Sequence, residues 1–313
     1  MKSRSPRLVA GLAVALALTL SPATMLAQSP GASPAAPVTI TDADGNPVVI
    51  TDSSRVVTLG GVITETAYAL GAGGQVVGVD ASSYYPQDVF ALGAPLPYYR
   101  QLSAEPVLAT KPSLILGTAQ VGPPEVVQQL RDAGVPTLLI KQDLTTDGTK
   151  ALITTLGQAL GHDAEATALN AQLDTDLAAA AALVAGATSH PKVMMLLLPP
   201  GAPMLVSGTG TEADTMIGLA GGVNAVTSYP GYVPLTPEAA VAAAPDIILT
   251  TTSSLKAVGD IAGLLAVAGI SDTPAGATKA IVVIDDLELL SFGPRVAQGI
   301  TDLAKGIHPE LAK

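Results

Sequence analysis

The sequence predicts an α/β protein in which two lobes, each built on a buried sheet, are joined by a long helix. Three observations support this prediction. Short apolar runs alternate with helical patterns from residue 38 onwards, a central segment carries no strand signal, and an internal repeat relates the two sides of that segment. Alternating strands and helices are typical of a sheet covered by helices. At 313 residues and 48% hydrophobic content, the chain has enough apolar material for two such lobes.

The first 27 residues have the pattern of a secretory signal peptide. Three basic residues fall within the first seven, an apolar run covers 8–20, and small residues follow, with cleavage expected after Ala27 or Ala23. The alternative is a retained membrane anchor, but this run is short for a span that needs about 20 residues. We therefore expect export, and we expect residues 28–37, rich in Ser, Pro and Ala, to be a disordered linker.

The chain contains no cysteine, which excludes disulfides, thiolate metal sites and lipid attachment through a cysteine. We therefore expect a periplasmic protein that is free of the membrane, and a monomer. The formal net charge of −11 argues against nucleic acid as a partner, because binding to phosphates needs a basic surface.

Residues 38–146 are predicted to form the N-terminal α/β lobe. It begins with a hairpin over 38–51, whose turn is Asp-Gly-Asn-Pro. The predicted strands are 55–59, 76–79, 113–117 and 136–140, and the predicted helices are 64–71, 103–110 and 122–133.

Residues 147–187 are predicted to be the helix that bridges the lobes. They are rich in Ala and Leu, and their apolar residues recur at three- and four-residue spacing. One long helix is the simplest interpretation, and Gly161-His162 is the place where it could break. Residues 188–313 are predicted to form the C-terminal lobe, with strands near 192–198, 203–206, 246–250 and 280–284.

An internal repeat relates the two lobes. The segment YRQLSAEPVLATKPSLIL, from residue 99, aligns without gaps on YVPLTPEAAVAAAPDIIL, from residue 232. Tyr99 thereby matches Tyr232 and Glu105 matches Glu238, while a looser echo pairs Glu65 with Glu212. Two similar lobes joined by a helix imply a cleft between them, and loops at the carboxyl ends of the strands line such a cleft. This arrangement is typical of a binding protein.

Six of the seven tyrosines lie in predicted loops on the cleft side of the lobes. One interpretation is that they fill gaps between loops and core. The other is that they hold a large flat ligand by ring stacking and hydroxyl contacts, and a phenolate also ligates ferric iron in some haem proteins. The six residues are Tyr84, Tyr85, Tyr98, Tyr99, Tyr229 and Tyr232.

Four charged residues are candidates for the same cleft or its surroundings. Arg100 and Arg295 are either surface cations or a clamp for ligand carboxylates, which suit the guanidinium fork. Glu65 and Glu212 are either acids favoured by the start of a helix or a symmetric pair of docking charges.

An enzyme is not indicated. The sequence has no GxSxG, P-loop, HExxH or nucleotide-binding fingerprint. None of the three histidines, His162, His190 and His308, has a second ligand at metal spacing, so we interpret all three as surface residues.

Several segments resemble the haemin-binding periplasmic proteins of ABC importers, the HmuT-like family of the class III solute-binding proteins. The resemblance covers residues 50–313, and its general features are shared with siderophore and cobalamin binders. The narrower haem signal is the Ser-x-Tyr-Pro of SSYYP and the Tyr-x-Arg of YYR. The segments are RVVTLGGVITETAYALGAGGQVVGVDASSYYP, YYRQLSAEPVLATKPSLILG, GTGTEADTMIGLAGGVNAV, GYVPLTPEAAVAAAPDIIL and LLSFGPRV.

The resemblance implies two Rossmann-like lobes bridged by a rigid helix, with haem in the cleft as cargo. It assigns the axial iron ligand to Tyr85, which precedes the proline, and leaves its neighbour Tyr84 without a role. Tyr98, Arg100, Tyr232 and Arg295 fall on other binding positions of the family. On the haem hypothesis, Tyr99 and Tyr232 line the pocket, Arg100 and Arg295 hold the propionates, and Tyr229 is a further candidate binding residue. Glu65 matches the docking glutamate for the permease and its ATPase, and Glu212, with Asp214 as rival, is the less secure second one.

Two features depart from the family. No histidine occupies a matching loop as second iron ligand, and Val233 replaces the basic residue that often follows the second-lobe tyrosine. A siderophore or cobalamin binder of the same fold is therefore the alternative function. A cell-envelope enzyme or structural domain on this fold is a second alternative.

Overall fold

A computed structural model describes residues 36–199 and 201–312. The predicted signal peptide and most of the predicted linker lie outside this part of the chain. The described chain begins with the predicted hairpin, in which β1 (Val38–Thr41) and β2 (Pro47–Ile50) pair antiparallel. No helix in the described residues is long and apolar enough to cross a membrane.

The N-terminal lobe is built on a four-stranded parallel sheet in the order β4-β3-β5-β6. Each predicted strand is present to within one residue at either end. The connections β3–α1, β4–α2 and β5–α3 place their loops at the carboxyl edge of the sheet. The elements are β3 (Val56–Leu59), α1 (Gly61–Ala69), β4 (Val76–Val79), α2 (Ala104–Ala109), β5 (Leu114–Thr118), α3 (Pro124–Asp132) and β6 (Thr137–Ile140), with 3-10 turns at Ala72–Gln75 and Gln87–Leu92.

The helical segment predicted over 147–187 is broken at Gly161-His162, the position where a break was expected, and the chain forms two helices there, α4 (Thr146–Leu160) and α5 (Asp163–Val184). Gly161 has a φ of 77° and ends α4 in the left-handed conformation that glycine adopts without strain. The helices pack antiparallel, and a Cβ on Gly157 would lie only 2.5 Å from that of Ala166. The long helix that joins the lobes is therefore α5 alone, and α4 completes the N-terminal lobe.

The C-terminal lobe has a six-stranded mixed sheet in the order β10-β8-β7-β11-β12, with β9 also pairing with β7. Strands β7, β11, β12 and β9 are parallel, whereas β8 and β10 are antiparallel additions at one side. Tyr232, predicted in a loop, instead begins a short edge strand. The strands are β7 (Lys192–Leu197), β8 (Leu205–Ser207), β9 (Val223–Asn224), β10 (Tyr232–Pro234), β11 (Ile247–Thr251) and β12 (Ile281–Ile284).

Within the described part of the C-terminal lobe, seven helices accompany this second sheet. Side-chain oxygens cap the starts of α6 to α11, for example Thr211 Oγ1, which accepts from the backbone N–H of Asp214. The helices are α6 (Glu212–Leu219), α7 (Pro237–Ala243), α8 (Thr252–Ala257), α9 (Ile261–Leu265), α10 (Pro274–Thr278), α11 (Asp286–Leu290) and α12 (Val296–Ile307), and a 3-10 turn follows at Pro309–Ala312.

The segment between α11 and α12 is fixed against the N-terminal lobe. Phe292 is fully buried, with a φ of 47°, and its carbonyl accepts hydrogen bonds from two side chains of that lobe. Gln142 Nε2 donates at 2.9 Å and Thr149 Oγ1 donates at 2.8 Å. The largest hydrophobic cluster runs through both lobes and includes Phe292. These contacts hold the start of α12 beside the carboxyl edge of the first sheet.

Candidate functional site

The first tyrosine pair follows β4 and lies against the C-terminal lobe. The hydroxyl of Tyr84 donates to Asp285 Oδ2 at 3.3 Å and accepts from the backbone N–H of Leu287 at 3.0 Å. Burial, reinforced by the charge of Asp285, raises the pKa of Tyr84 well above its usual value. The residue that the sequence left without a role thus joins the two lobes, and its hydroxyl is already in use.

Tyr85 has a different environment from its neighbour. Its side chain is 38% exposed, and the guanidinium carbon of Arg295 lies 3.8 Å from the centre of its ring. This is the geometry of a cation–π contact. Among the described residues, no hydrogen bond engages the Tyr85 hydroxyl, so it is available to a ligand.

Arg295 is the centre of an ion-pair network, at the position immediately before α12. Its Nε and Nη2 atoms donate to the two carboxylate oxygens of Glu65 at 2.9 and 3.2 Å. Its Nη1 donates to Glu288 at 3.3 Å, and Nη2 lies 3.5 Å from Asp285 Oδ1. The fork of Arg295 is therefore occupied by protein acids, and its role as a clamp for a ligand carboxylate stays a prediction.

Glu65 does not lie at the surface, as a docking charge would. It is only 3% exposed and faces Arg295. Burial raises the pKa of Glu65, although the hydrogen bonds and charge of Arg295 oppose this effect. The structure corrects the docking assignment, because a permease cannot reach this carboxylate as it is placed here.

A further acid of this network, Glu288, has a strongly perturbed pKa. Burial, followed by a hydrogen bond with Asp302, raises the pKa of Glu288 to about 7, and Arg295 opposes the shift. The sequence reasoning missed Glu288 and Asp285. A signal was present for Asp285, which directly follows the buried run IVVI at the carboxyl end of β12.

The second tyrosine pair forms an aromatic and cationic cluster on the N-terminal lobe. The rings of Tyr98 and Tyr99 are 4.6 Å apart at 56°, and the Arg100 guanidinium lies 5.4 Å from the Tyr99 ring. Arg100 donates to the Tyr99 hydroxyl at 3.1 Å and to Gln120. Burial and a hydrogen bond with Tyr99 raise the pKa of Tyr98 to about 12. Arg100 is exposed, so this cluster offers aromatic faces beside an accessible cation.

The two C-terminal tyrosines differ in how accessible they are. Tyr229 is 38% exposed, whereas Tyr232 is largely buried and donates to Glu212 Oε2 at 3.2 Å. Burial and the charge of Glu212 raise the pKa of Tyr232. Glu212 is half-buried, and a permease that docked on its carboxylate would compete with the Tyr232 hydroxyl for it. None of the contacts described within 36–199 and 201–312 joins this pair to Tyr98.

Asp80, which the sequence reasoning also missed, lies where the two N-terminal tyrosine loops meet. It is fully buried at the carboxyl end of β4. Its carboxylate accepts hydrogen bonds from the loops that carry both pairs. The position after a buried strand was the available signal.

The histidine prediction is wrong for His308, which is fully buried with its Nε2 atom 3.1 Å from the carbonyl oxygen of Ala220. His190 is exposed, as predicted, and His162 is partly buried. No group of three or more His, Cys, Asp or Glu within the described residues could hold a metal ion.

The arrangement of two α/β lobes with ligand-accessible aromatic loops defines a solute-binding protein of class III architecture. The chain matches the model of the periplasmic binding protein family over residues 56–287 and belongs to that family. The prediction of a binding protein rather than an enzyme is therefore confirmed, as is the predicted fold class.

Solved structures of similar proteins carry more specific names. The apo form of the periplasmic haem-binding protein RhuT from Roseiflexus sp. RS-1 is 40% identical with a TM-score of 0.79, and the match covers 83% of this chain and 100% of that one. Periplasmic haem-binding protein BhuT, in complex with two haems, is 38% identical with a TM-score of 0.77, over 82% of this chain and 98% of that one.

A relative known from its sequence matches over a similar length. The uncharacterized ABC transporter substrate-binding lipoprotein YvrC of Bacillus subtilis is 28% identical over 282 residues, which is 88% of this chain and 87% of that protein. The resemblance predicted from the sequence is thus confirmed at the level of family and of similar structures.

Proposed function

We propose that this protein captures haem, as ferric haemin, in the cleft between its lobes and delivers it to an ABC permease with its ATPase. The observation that carries the proposal is two sets of tyrosine rings beside arginines. The exposed ring of Tyr85 contacts Arg295, and the exposed ring of Tyr98 packs on Tyr99, which contacts Arg100. Exposed rings suit a flat porphyrin, and arginines suit its propionates. The names of RhuT and BhuT support haem as the ligand class.

Tyr85 is the proposed axial ligand of the iron. Its ring is exposed and contacts the Arg295 guanidinium, and its hydroxyl makes no hydrogen bond to the described residues. Tyr98 is the rival, because its exposure is similar and it packs on Tyr99, the partner of Arg100. The hydroxyls of Tyr84, Tyr99 and Tyr232 are engaged with protein groups, which favours them as walls of the pocket.

Arg100 is the proposed contact for a propionate. It is exposed, and its partners, Tyr99 and Gln120, are uncharged. Arg295 can take part only if the ligand displaces it from Glu65. We therefore assign it first to holding Tyr85 and second to the propionates.

Titration of ferric haemin into the purified apo protein tests the function and the ligand together. Tyr85→Phe is expected to shift the Soret band and weaken binding, whereas Tyr98→Phe is expected to keep the wild-type spectrum. Tyr68→Phe is the matched control, since Tyr68 lies in α1 outside the tyrosine loops. The reverse result for Tyr85 and Tyr98 would transfer the ligand to Tyr98. Wild-type protein that binds cyanocobalamin or a ferric siderophore, and no haemin, would contradict haem as cargo.

Docking to the permease is assigned to Glu105 and Glu238 rather than to Glu65. They are related by the internal repeat, they lie in the first turns of α2 and α7, and both are exposed. Such a pair presents one negative charge from each lobe to a two-fold partner. Glu212 is the remaining candidate of the original pair.

We propose a periplasmic location for a monomer that has lost its signal peptide, in which α4 extends the N-terminal lobe predicted over 38–146 and the C-terminal lobe covers 188–313. The pattern of residues 1–27 and the absence of cysteine support this location. Cell fractionation followed by mass determination of the purified protein tests the location, the cleavage site and the monomeric state.

A further inference from the structure

Asp80 carries an unusual concentration of hydrogen bonds for a buried carboxylate. Its Oδ1 atom accepts from the backbone N–H of Gly60 at 2.8 Å and from the hydroxyls of Ser82 and Ser83, each at 3.0 Å. Its Oδ2 atom accepts from the backbone N–H of Ser82 at 3.0 Å and that of Tyr99 at 3.2 Å. No ion pair within the described residues neutralises it, so these five donors take the place of a counterion.

The donors belong to the segments that present the tyrosines. Ser82 and Ser83 immediately precede the first pair, and the backbone N–H of Tyr99 belongs to the second pair. Gly60 lies between β3 and α1, at the carboxyl end of the neighbouring strand. One carboxylate therefore connects three loops at the carboxyl edge of the sheet.

Further hydrogen bonds from Ser82 and Ser83, the serines that donate to Asp80, join the tyrosine loops to the rest of the lobe. Ser83 Oγ lies 2.7 Å from Thr64 Oγ1, which in turn lies 2.7 Å from Thr58 Oγ1. Ser82 Oγ accepts from the backbone N–H of Gly61 at the start of α1. The hydroxyls of Ser83, Thr64 and Thr58 are buried, as Asp80 is, so this chain of hydrogen bonds is a rigid support for the tyrosine loops.

We propose that Asp80 is the positioning residue of the binding site: its carboxylate sets the distance and orientation between the Tyr84–Tyr85 loop and the Tyr98–Tyr99 loop. This inference rests on the proposed function, because the spacing of the two loops matters for binding only if both loops contact the same ligand. An amide in place of the carboxylate keeps the shape, but it puts an NH₂ group against donors that now face an oxygen. Asp80→Asn therefore removes one of the two acceptor oxygens and the negative charge, with little change in volume.

The test compares Asp80→Asn with a matched buried aspartate far from the tyrosines. Asp42 also has a fully buried side chain, and it accepts from the backbone N–H groups of Asp44 and Asn46 in the β1–β2 hairpin. Asp42→Asn is thus expected to lower stability without touching the loops. Ser83→Ala is a milder second variant, which removes one donor and keeps Asp80 in place.

Two measurements on each variant separate positioning from general stability. Hydrogen exchange in the apo protein is expected to accelerate over residues 81–101 in Asp80→Asn and to stay unchanged there in Asp42→Asn. Haemin affinity is expected to fall about 10-fold or more in Asp80→Asn, with a changed Soret band, as for other residues that orient a ligand group. Ser83→Ala is expected to show both effects in smaller measure.

Different results would contradict the positioning role of Asp80 and the proposed function of the protein. Unchanged exchange over 81–101, or faster exchange with wild-type haemin affinity and spectrum, would overturn the positioning role. An equal loss of affinity in Asp42→Asn would also overturn it, because the effect would then be one of stability. If the wild-type protein itself binds no haemin, the proposed function fails, and the exchange data alone decide whether Asp80 fixes the loops.

Discussion

Glu65 of the N-terminal lobe and Arg295 of the C-terminal lobe form a two-point ion pair, with Nε–Oε1 and Nη2–Oε2 distances of 2.9 and 3.2 Å. The same guanidinium lies against the ring of Tyr85. One arginine therefore joins the lobes electrostatically and fixes the exposed tyrosine at the cleft. The two members of this ion pair differ in burial, because Glu65 is buried more deeply than Arg295.

Removing Arg295 should cost more stability than removing Glu65. In Arg295→Leu the 3% exposed carboxylate of Glu65 remains without its cation, and the loss of a buried partner costs about 3–5 kcal/mol. In Glu65→Leu, Arg295 keeps Glu288 and Asp285 and some solvent contact, so we expect a loss of about 1–2 kcal/mol.

Urea unfolding of the two single variants and the double variant measures this difference. The double variant Glu65→Leu/Arg295→Leu is expected to be more stable than Arg295→Leu alone, since the buried carboxylate of Glu65 is no longer left without its cation. Equal losses in the two single variants would contradict the proposed asymmetry.

Glu288 should make the stability of the protein fall as the pH rises towards neutrality. Its pKa is raised from 4.5 to about 7 in the folded protein, so the folded state binds a proton that the unfolded state has released. This contribution is fully present below about pH 4.5 and is lost as the pH rises through about 7.

Glu288→Gln mimics the protonated side chain and removes its titration. The free energy of unfolding of the variant, relative to wild type, is therefore expected to increase between pH 5 and pH 7.5. Glu238→Gln is the control, because Glu238 is exposed in the first turn of α7. A constant difference between Glu288→Gln and wild type across this range would show that Glu288 does not titrate there.

The sequence predicted the strands well because each is a short apolar run between turn residues. Strands β3 to β6 follow hydrophobic patterning that local residues determine. The long central helix was harder to predict, because Ala and Leu favour helix on both sides of Gly161. The reversal there depends on the contact of Gly157 with Ala166, which is visible only once α4 and α5 are packed together.

The sequence predicts which residue types form the candidate site, but not which side chains pair with one another. Exposed tyrosines with arginines were found from composition and repeat, yet the partners of Arg295 lie at sequence separations of 7, 10 and 230 residues. Local pattern carries no information about the most distant of these. Glu65 was therefore interpreted as an exposed acid, although the fold buries it.

Close packing of α4 on α5 makes Gly157 intolerant of a side chain. Gly157→Ala gains about 1 kcal/mol of helix propensity, but the added methyl overpacks against Ala166 at a cost of about 1–3 kcal/mol. We expect net destabilisation, measured by urea unfolding. Gly218→Ala is the matched control, since Gly218 is exposed in α6 and an added Cβ meets nothing within 4 Å. This control should be stabilised, and a stabilised Gly157→Ala would contradict the tight helix contact.

Charge reversal at the repeat-related glutamates should uncouple delivery from capture. Glu105 and Glu238 are exposed at equivalent positions of the two lobes, away from the described partners of the tyrosines. We expect Glu105→Lys and Glu238→Lys to keep wild-type haemin affinity, and each to reduce the haem-dependent ATPase activity of the importer in proteoliposomes. The double variant should reduce it further, because each lobe supplies one of two contacts to a two-fold permease.

Two further variants provide a control for net charge and a test of the rival docking residue. Asp176→Lys changes an exposed acid of α5 by the same charge, and it should leave the ATPase activity unchanged if the effect is local rather than one of net charge. Glu212→Lys tests the other candidate directly. A loss of activity in Glu212→Lys with wild-type activity in Glu105→Lys and Glu238→Lys would return the docking role to the half-buried acid beside Tyr232.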